Sequence, residues 1–187
     1  TRDEVLTALA PVRELGYAPL EAMAVLRFTE DGGRIYGDSE YSEQEVSAEG
    51  VAALLAYAGV PHRFLRQLQT NTLGQVALEL LRQQPGTPAV ITRSGQVVDV
   101  VPYRPACALP VEPVLDTIEA TLGAVEYARA LVLPGHAAQL EVVGTEERAV
   151  VPGDLVRAGA LVRFSPLGLT EVEVRGYVSR LACTNGM

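Results

Sequence analysis

The chain has no lysine and no tryptophan, and only two cysteines, two methionines and two histidines among its 187 residues. Each scarcity closes off a class of chemistry. Neither GxxxxGK[ST] nor GxGxxG occurs, so nucleotide hydrolysis on a phosphate-cradling loop is excluded. Cys107 and Cys183 are far apart, with no CxxC spacing and no His pair beside them, and read as two buried free thiols rather than a disulfide or a zinc site. His62 and His136 each lack a neighbouring His or Cys, so surface or capping roles outweigh metal ligation and general-base work. No GxSxG marks a serine nucleophile. No apolar run approaches the roughly 18 residues that cross a bilayer, and the first residues lack a basic region followed by an apolar run. The expectation is a cytoplasmic protein with no membrane partner, no metal and no cofactor.

Apolar residues make up 48% of the chain and charged residues 20%, well inside the globular range. The length predicts a single domain over 1–187, with 1–46 as a less regular N-terminal arm carrying an acidic segment. The Thr184-Asn185-Gly186 turn signal just before Met187 predicts a chain truncated at its C-terminus. All fifteen basic residues are Arg, which points to a GC-rich genome; few Asn, Cys and Met add a thermophile cue that the missing Lys opposes. Net charge is −8, yet seven acids between 30 and 49 stand against Arg34 alone, so the rest of the chain is nearly neutral.

Periodicity divides the chain. Val5, Leu6, Leu9 and Val12 predict a helix from Asp3 to Leu15, bent or broken at Pro11 and stopped by Gly16. Ala22 to Phe28 and Arg34 to Gly37 read as a loose hairpin, and Glu40 to Glu45 as a solvated acidic connection. Ser47 caps a helix to Ala58 that Gly59 closes; Pro61 opens a second helix, and Asn71 or Thr72 caps a third. From Ala89 the period changes to two, with Ser94-Gly95 as a hairpin turn. A helix to Leu122 follows Pro110, then strands Val125–Leu133 and Gln139–Val143 around Pro134-Gly135. Ala160–Phe164 and Glu171–Arg175 are further strands, the latter with one wet face bearing Glu171 and Glu173. The pattern predicts an α+β fold: an N-terminal helical subregion followed by a mostly antiparallel sheet with one interposed helix.

Two surfaces are candidate sites. Arg63 and Arg66 fall three apart on one predicted helix face, and Tyr103-Arg104 follows the second hairpin strand; together they provide cations and a stacking ring for single-stranded nucleic acid. Glu40, Glu43 and Glu45 form an acidic patch for a basic host or phage protein. Gly153-Asp154 reads as turn chemistry; its rival reading is a carboxylate of a metal-dependent nuclease, which needs further acids close by.

The helix from Ser47 and the following Gly59-Val60-Pro61-His62-Arg63-Phe64-Leu65-Arg66, then Val101-Pro102-Tyr103-Arg104-Pro105, Gly153-Asp154-Leu155-Val156-Arg157-Ala158-Gly159 and Arg180-Leu181-Ala182-Cys183-Thr184-Asn185-Gly186-Met187, resemble the phage- and plasmid-like proteins catalogued as domain of unknown function 932. The resemblance covers roughly 45–187. It departs from the family's Asn-Ser before a Gly, where this chain has Phe164-Ser165-Pro166-Leu167-Gly168. It implies a mobile-element setting and carries no activity onto named residues.

From that setting the leading expectation is a non-enzymatic single-stranded DNA-binding or annealing protein of recombination or replication, a homo-oligomer whose binding weakens steeply with salt. A protein-interaction module acting as a phage regulator or anti-defence factor is the first alternative, and a metal-dependent nuclease the second.

Overall fold

The computed structural model describes residues 1–20, 23–29, 32–37, 43–61, 63–151 and 154–180. In chain order the elements are α1 (Arg2–Ala8), α2 (Ala10–Arg13), β1 (Leu15–Pro19), β2 (Met23–Thr29), β3 (Gly32–Gly37), β4 (Glu43–Ser47), α3 (Ala48–Tyr57), α4 (Phe64–Gln67), α5 (Thr70–Gln83), β5 (Pro88–Arg93), β6 (Gln96–Pro102), α6 (Val111–Leu122), β7 (Val125–Leu133), β8 (Ala137–Val151), β9 (Asp154–Phe164) and β10 (Glu173–Arg180). This is the expected α+β fold with mostly antiparallel sheets. It divides into two compact units, Thr1–Glu14 with Ala106–Met187 and Leu15–Pro105, where length alone had suggested one. Residues 1–46, expected as an irregular arm, instead supply α1, α2 and four strands, so strands precede the helical run as well as follow it.

The unit Leu15–Pro105 is a six-stranded sheet in the order β1-β5-β6-β4-β3-β2. Its ladders are antiparallel except for β4 beside β6, where Val46 lies opposite Val97 in a parallel pair. One face is covered by α3 and α5, whose Leu54, Leu55, Ala58, Leu73, Ala77 and Leu81 bury against Leu26, Ile35, Val46, Val90 and Val97. Ser47 fixes the seam. Its hydroxyl accepts from the Gly50 N–H (3.1 Å) to start α3 and donates to the Val97 carbonyl (3.0 Å), so the helix start is tied to β6. A side chain at Gly50 would overlap the Val97 carbonyl, which is why the helix can lie so close to the strand. α3 ends in a Schellman motif: Gly59, at φ +73°, donates to Ala56 and Val60 to Leu55. α5 begins after Gln69 without a side-chain cap, two or three residues earlier than the Asn71 or Thr72 cap expected. The Ser94-Gly95 turn has φ of 51° and 81°, the two positive values that a type I′ hairpin requires.

The other unit carries the sheet β10-β9-β8-β7. Val111, Val114, Leu115 and Ile118 are the buried residues of α6, and Leu140, Val142, Val162 and Phe164 are the buried residues of the strands. The N-terminal helix is split at Leu9, one residue before Ala10-Pro11 opens α2, as proline dictates. Arg2 holds α1 to α6 by hydrogen bonds to Asp116 (2.6 Å) and Glu119 (2.7 Å), and Arg13 of α2 pairs with Glu112. Tyr127 of β7 donates to the same Glu119 (2.7 Å); burial, then that carboxylate, push its phenol pKa well above the ordinary range.

The acidic connection expected at 40–45 is, over Glu43–Ser47, the strand β4 inside the six-stranded sheet. Only Val46 of β4 is fully buried, and so polar a segment shows no strand period of its own; antiparallel pairing with β3 and the parallel contact of Val46 with Val97 of β6 supply the strand. Cys107 is exposed rather than buried, because the segment between β6 and α6 runs outside the sheet, while Cys183 lies outside the described residues. No helix among the described residues is long and apolar enough to cross a membrane.

Candidate functional site

Tyr17 is the centre of β1, with Ile91 as its Cα partner on β5. Neighbouring Val90 points into the core beneath α3 and α5, so Ile91 and Tyr17 are on the opposite face. Tyr103 follows β6, where its N–H donates to the Thr87 carbonyl (2.8 Å). Its ring stacks on Tyr17, with centroids 6.0 Å apart and planes 15° from parallel.

The Tyr17 hydroxyl then makes two bonds to one residue. It donates to the Arg104 carbonyl (3.1 Å) and accepts from the Arg104 N–H (2.8 Å). Backbone at 103–104 is thereby held while both side chains stay free: Tyr103 is 41% exposed and Arg104 is exposed, with no carboxylate among the described residues pairing with it. Arg93 on β5 is two residues from Ile91 and opposite Leu15, which places it on the Tyr17 face; its Nε is buried without a hydrogen-bond partner. The stacking ring and the free guanidinium of Arg104 thus follow the far end of β6, whereas Arg93 is at the other end of the β5–β6 hairpin, beside the Ser94-Gly95 turn.

The structure does not bring Arg63 to this place. Arg63 precedes α4 as its N-cap, and α4 is a single turn. The Arg63 guanidinium is over the Phe64 ring at 5.2 Å, and Phe64 packs against the core on the helix-covered face. Arg63 is therefore on the side of the sheet away from Tyr17 and Tyr103. The side chain of Arg66 is outside the described residues, as is all of Glu40 and His62.

In the acidic patch, Glu43 pairs with Arg34 on the adjacent strand and Glu45 accepts from Gln96 (3.1 Å). Both carboxylates are thus partly spent inside the sheet. Elsewhere Arg2, Arg13, Arg82, Arg148, Arg157, Arg163 and Arg175 also pair with carboxylates. Positive charge is dispersed rather than gathered in a groove.

Asp154 opens β9, and its side chain and Gly153 are outside the described residues. No group of three or more His, Cys, Asp or Glu among the described residues is placed to hold a metal ion. Glu173, expected on a wet sheet face, pairs there with Arg163 (3.7 Å) and Arg175.

Sequence reading missed Tyr17 and Arg93. Tyr17 directly follows the Gly16 taken as a helix stop, and its strand is too short and too rich in Gly and Pro to show a period of two. Arg93 looks like an ordinary flank of the Ser94-Gly95 turn; only strand register places it beside β1.

No family model, curated protein or solved structure matches the chain.

Proposed function

We propose that the protein binds single-stranded nucleic acid at Tyr103 and Arg104, in the setting of a phage or plasmid that the resemblance to the domain of unknown function 932 family implies. Support comes above all from the Tyr17–Tyr103 stack and the double hydrogen bond by which Tyr17 holds Arg104. An exposed ring already held in place loses little freedom when a base stacks on it, and base–aromatic stacking contributes about 1–3 kcal/mol per base. Arg104 then serves a phosphate beside the stacked base. Arg63, which lies over Phe64 on the helix-covered side, is left out of this surface.

Charge contributes less than the sequence suggested. Eight of the fifteen arginines are already paired to carboxylates, and Arg104 is the cation next to the stacked ring. Each phosphate contact on a single strand contributes a slope of about −0.7 in log affinity against log salt. The expected slope is about −0.7, shallow rather than steep. Titrating a labelled oligonucleotide against the whole protein and against Tyr103→Ala at several salt concentrations tests this; equal affinity for the two proteins removes the proposal.

A further inference from the structure

Strand β10 is at one edge of the four-stranded sheet and pairs with β9 over Glu173–Arg180 with no shift of register. Nothing among the described residues pairs with its other side. The opposite edge, β7, is interrupted by a bulge at Tyr127/Arg129, a device that discourages edge-to-edge pairing. β10 has no such bulge.

Its apolar face is also bare. Val174 is opposite Val162 and Gly176 opposite Ala160, so these residues are on the face that α6 covers further in. Coverage stops short of β10: Val172, Val174 and Val178 are 55%, 64% and 68% exposed. Between α6 and this strand runs a groove of about 470 Å³ lined by Val114, Ile118, Leu122, Val162, Val172 and Val174. Two threonines of α6 that border it, Thr117 and Thr121, donate their hydroxyls to carbonyls of their own helix. The groove therefore offers apolar contact and no spare donor from α6, which suits aliphatic side chains on a neighbouring strand.

We propose that the occupant is a second copy of this chain, with β10 pairing antiparallel to β10 about a two-fold axis at Gly176. The sequence of the strand selects this partner because it is complementary to itself in that register. Val174 of each copy falls opposite Val178 of the other, on the same face as the groove. On the polar face Arg175 falls opposite Tyr177, and Glu173 opposite Ser179. No like charges meet: the polar face sets a cation against a ring and a carboxylate against a hydroxyl, and the groove face sets valine against valine. A side chain at Gly176 would find nothing nearer than 4.0 Å, so there is room on the axis. The two sheets become one of eight strands with the grooves side by side, a closed isologous contact that stops at two copies.

Sedimentation equilibrium of the whole chain over a concentration series tests this, using variants at exposed positions that leave the core intact. The wild type should be a dimer. Val174→Glu with Val178→Glu sets carboxylate against carboxylate twice in this register and should raise the dimer dissociation constant about tenfold. Val174→Glu with Val178→Lys sets opposite charges together twice and should restore the dimer. A wild type that stays monomeric, a dimer indifferent to the double glutamate variant, or a failure of the Glu/Lys variant to recover each overturns the proposal.

Discussion

The Tyr17 hydroxyl bonds both the N–H and the carbonyl of Arg104, at 2.8 and 3.1 Å, while its ring stacks on Tyr103. One side chain on β1 thus holds two consecutive residues that follow β6, although 86 residues of chain separate Tyr17 from Tyr103. Tyr17→Phe keeps the ring and removes both bonds. At about 0.5–1.5 kcal/mol for a typical intramolecular hydrogen bond, and toward the low end because the site is exposed, the variant should lose about 1 kcal/mol of stability. Oligonucleotide affinity should fall less than for Tyr103→Ala. Urea melts and anisotropy titrations on the same preparations check both.

Helix α3 approaches β6 so closely that Gly50 has no room for a methyl group. Gly50→Ala forces the helix away from the Val97 carbonyl and strains the bond from Ser47 to the same carbonyl. Overpacking of this kind costs about 1–3 kcal/mol, more than the helix-propensity gain of Ala over Gly can offset. Thermal unfolding should show a lower midpoint for Gly50→Ala, whereas Gly86→Ala, which meets nothing within 4 Å, should suffer only from its φ of +92°.

Glu112 has its carboxyl pKa lowered, first by the hydrogen bond from its own backbone N–H and then by Arg13. A depressed carboxylate contributes stability that is complete above the ordinary range near pH 4.3 and is lost as pH falls through its folded value. The α2–α6 contact should loosen on the acid side, below about pH 4. Glu112→Gln should flatten that limb of the stability profile and, because the pair is well exposed, lower stability at pH 7 by no more than about 1 kcal/mol. A pH series of melts comparing the two proteins measures it.

The α+β class, the Ser94-Gly95 hairpin, the helix before Leu122 and the two strands after it were legible because each carries a local signal: positive-φ turn residues, or apolar residues at a clean period. β4 was not. Its residues Glu43, Gln44 and Glu45 read as a solvated loop, and only its place between β3 and β6 makes Val46 a core residue of a strand. The site was half legible for the same reason. Tyr103 and Arg104 stand together in the sequence and remain together in the fold, but which face of the sheet Arg63 occupies is decided by how Phe64 packs.

The central claim is that Tyr103 stacks a base while Arg104 serves its phosphate. Anisotropy of a labelled oligothymidine, titrated with wild type, Tyr103→Ala, Tyr103→Phe and Arg104→Ala over a salt series, tests it most directly. Tyr103→Phe should bind as wild type does, and Tyr103→Ala should lose about 1–3 kcal/mol. Arg104→Ala should reduce the magnitude of the salt slope by about 0.7. Wild type that fails to bind at low salt, or binds with an affinity that none of the three substitutions changes, would contradict the account.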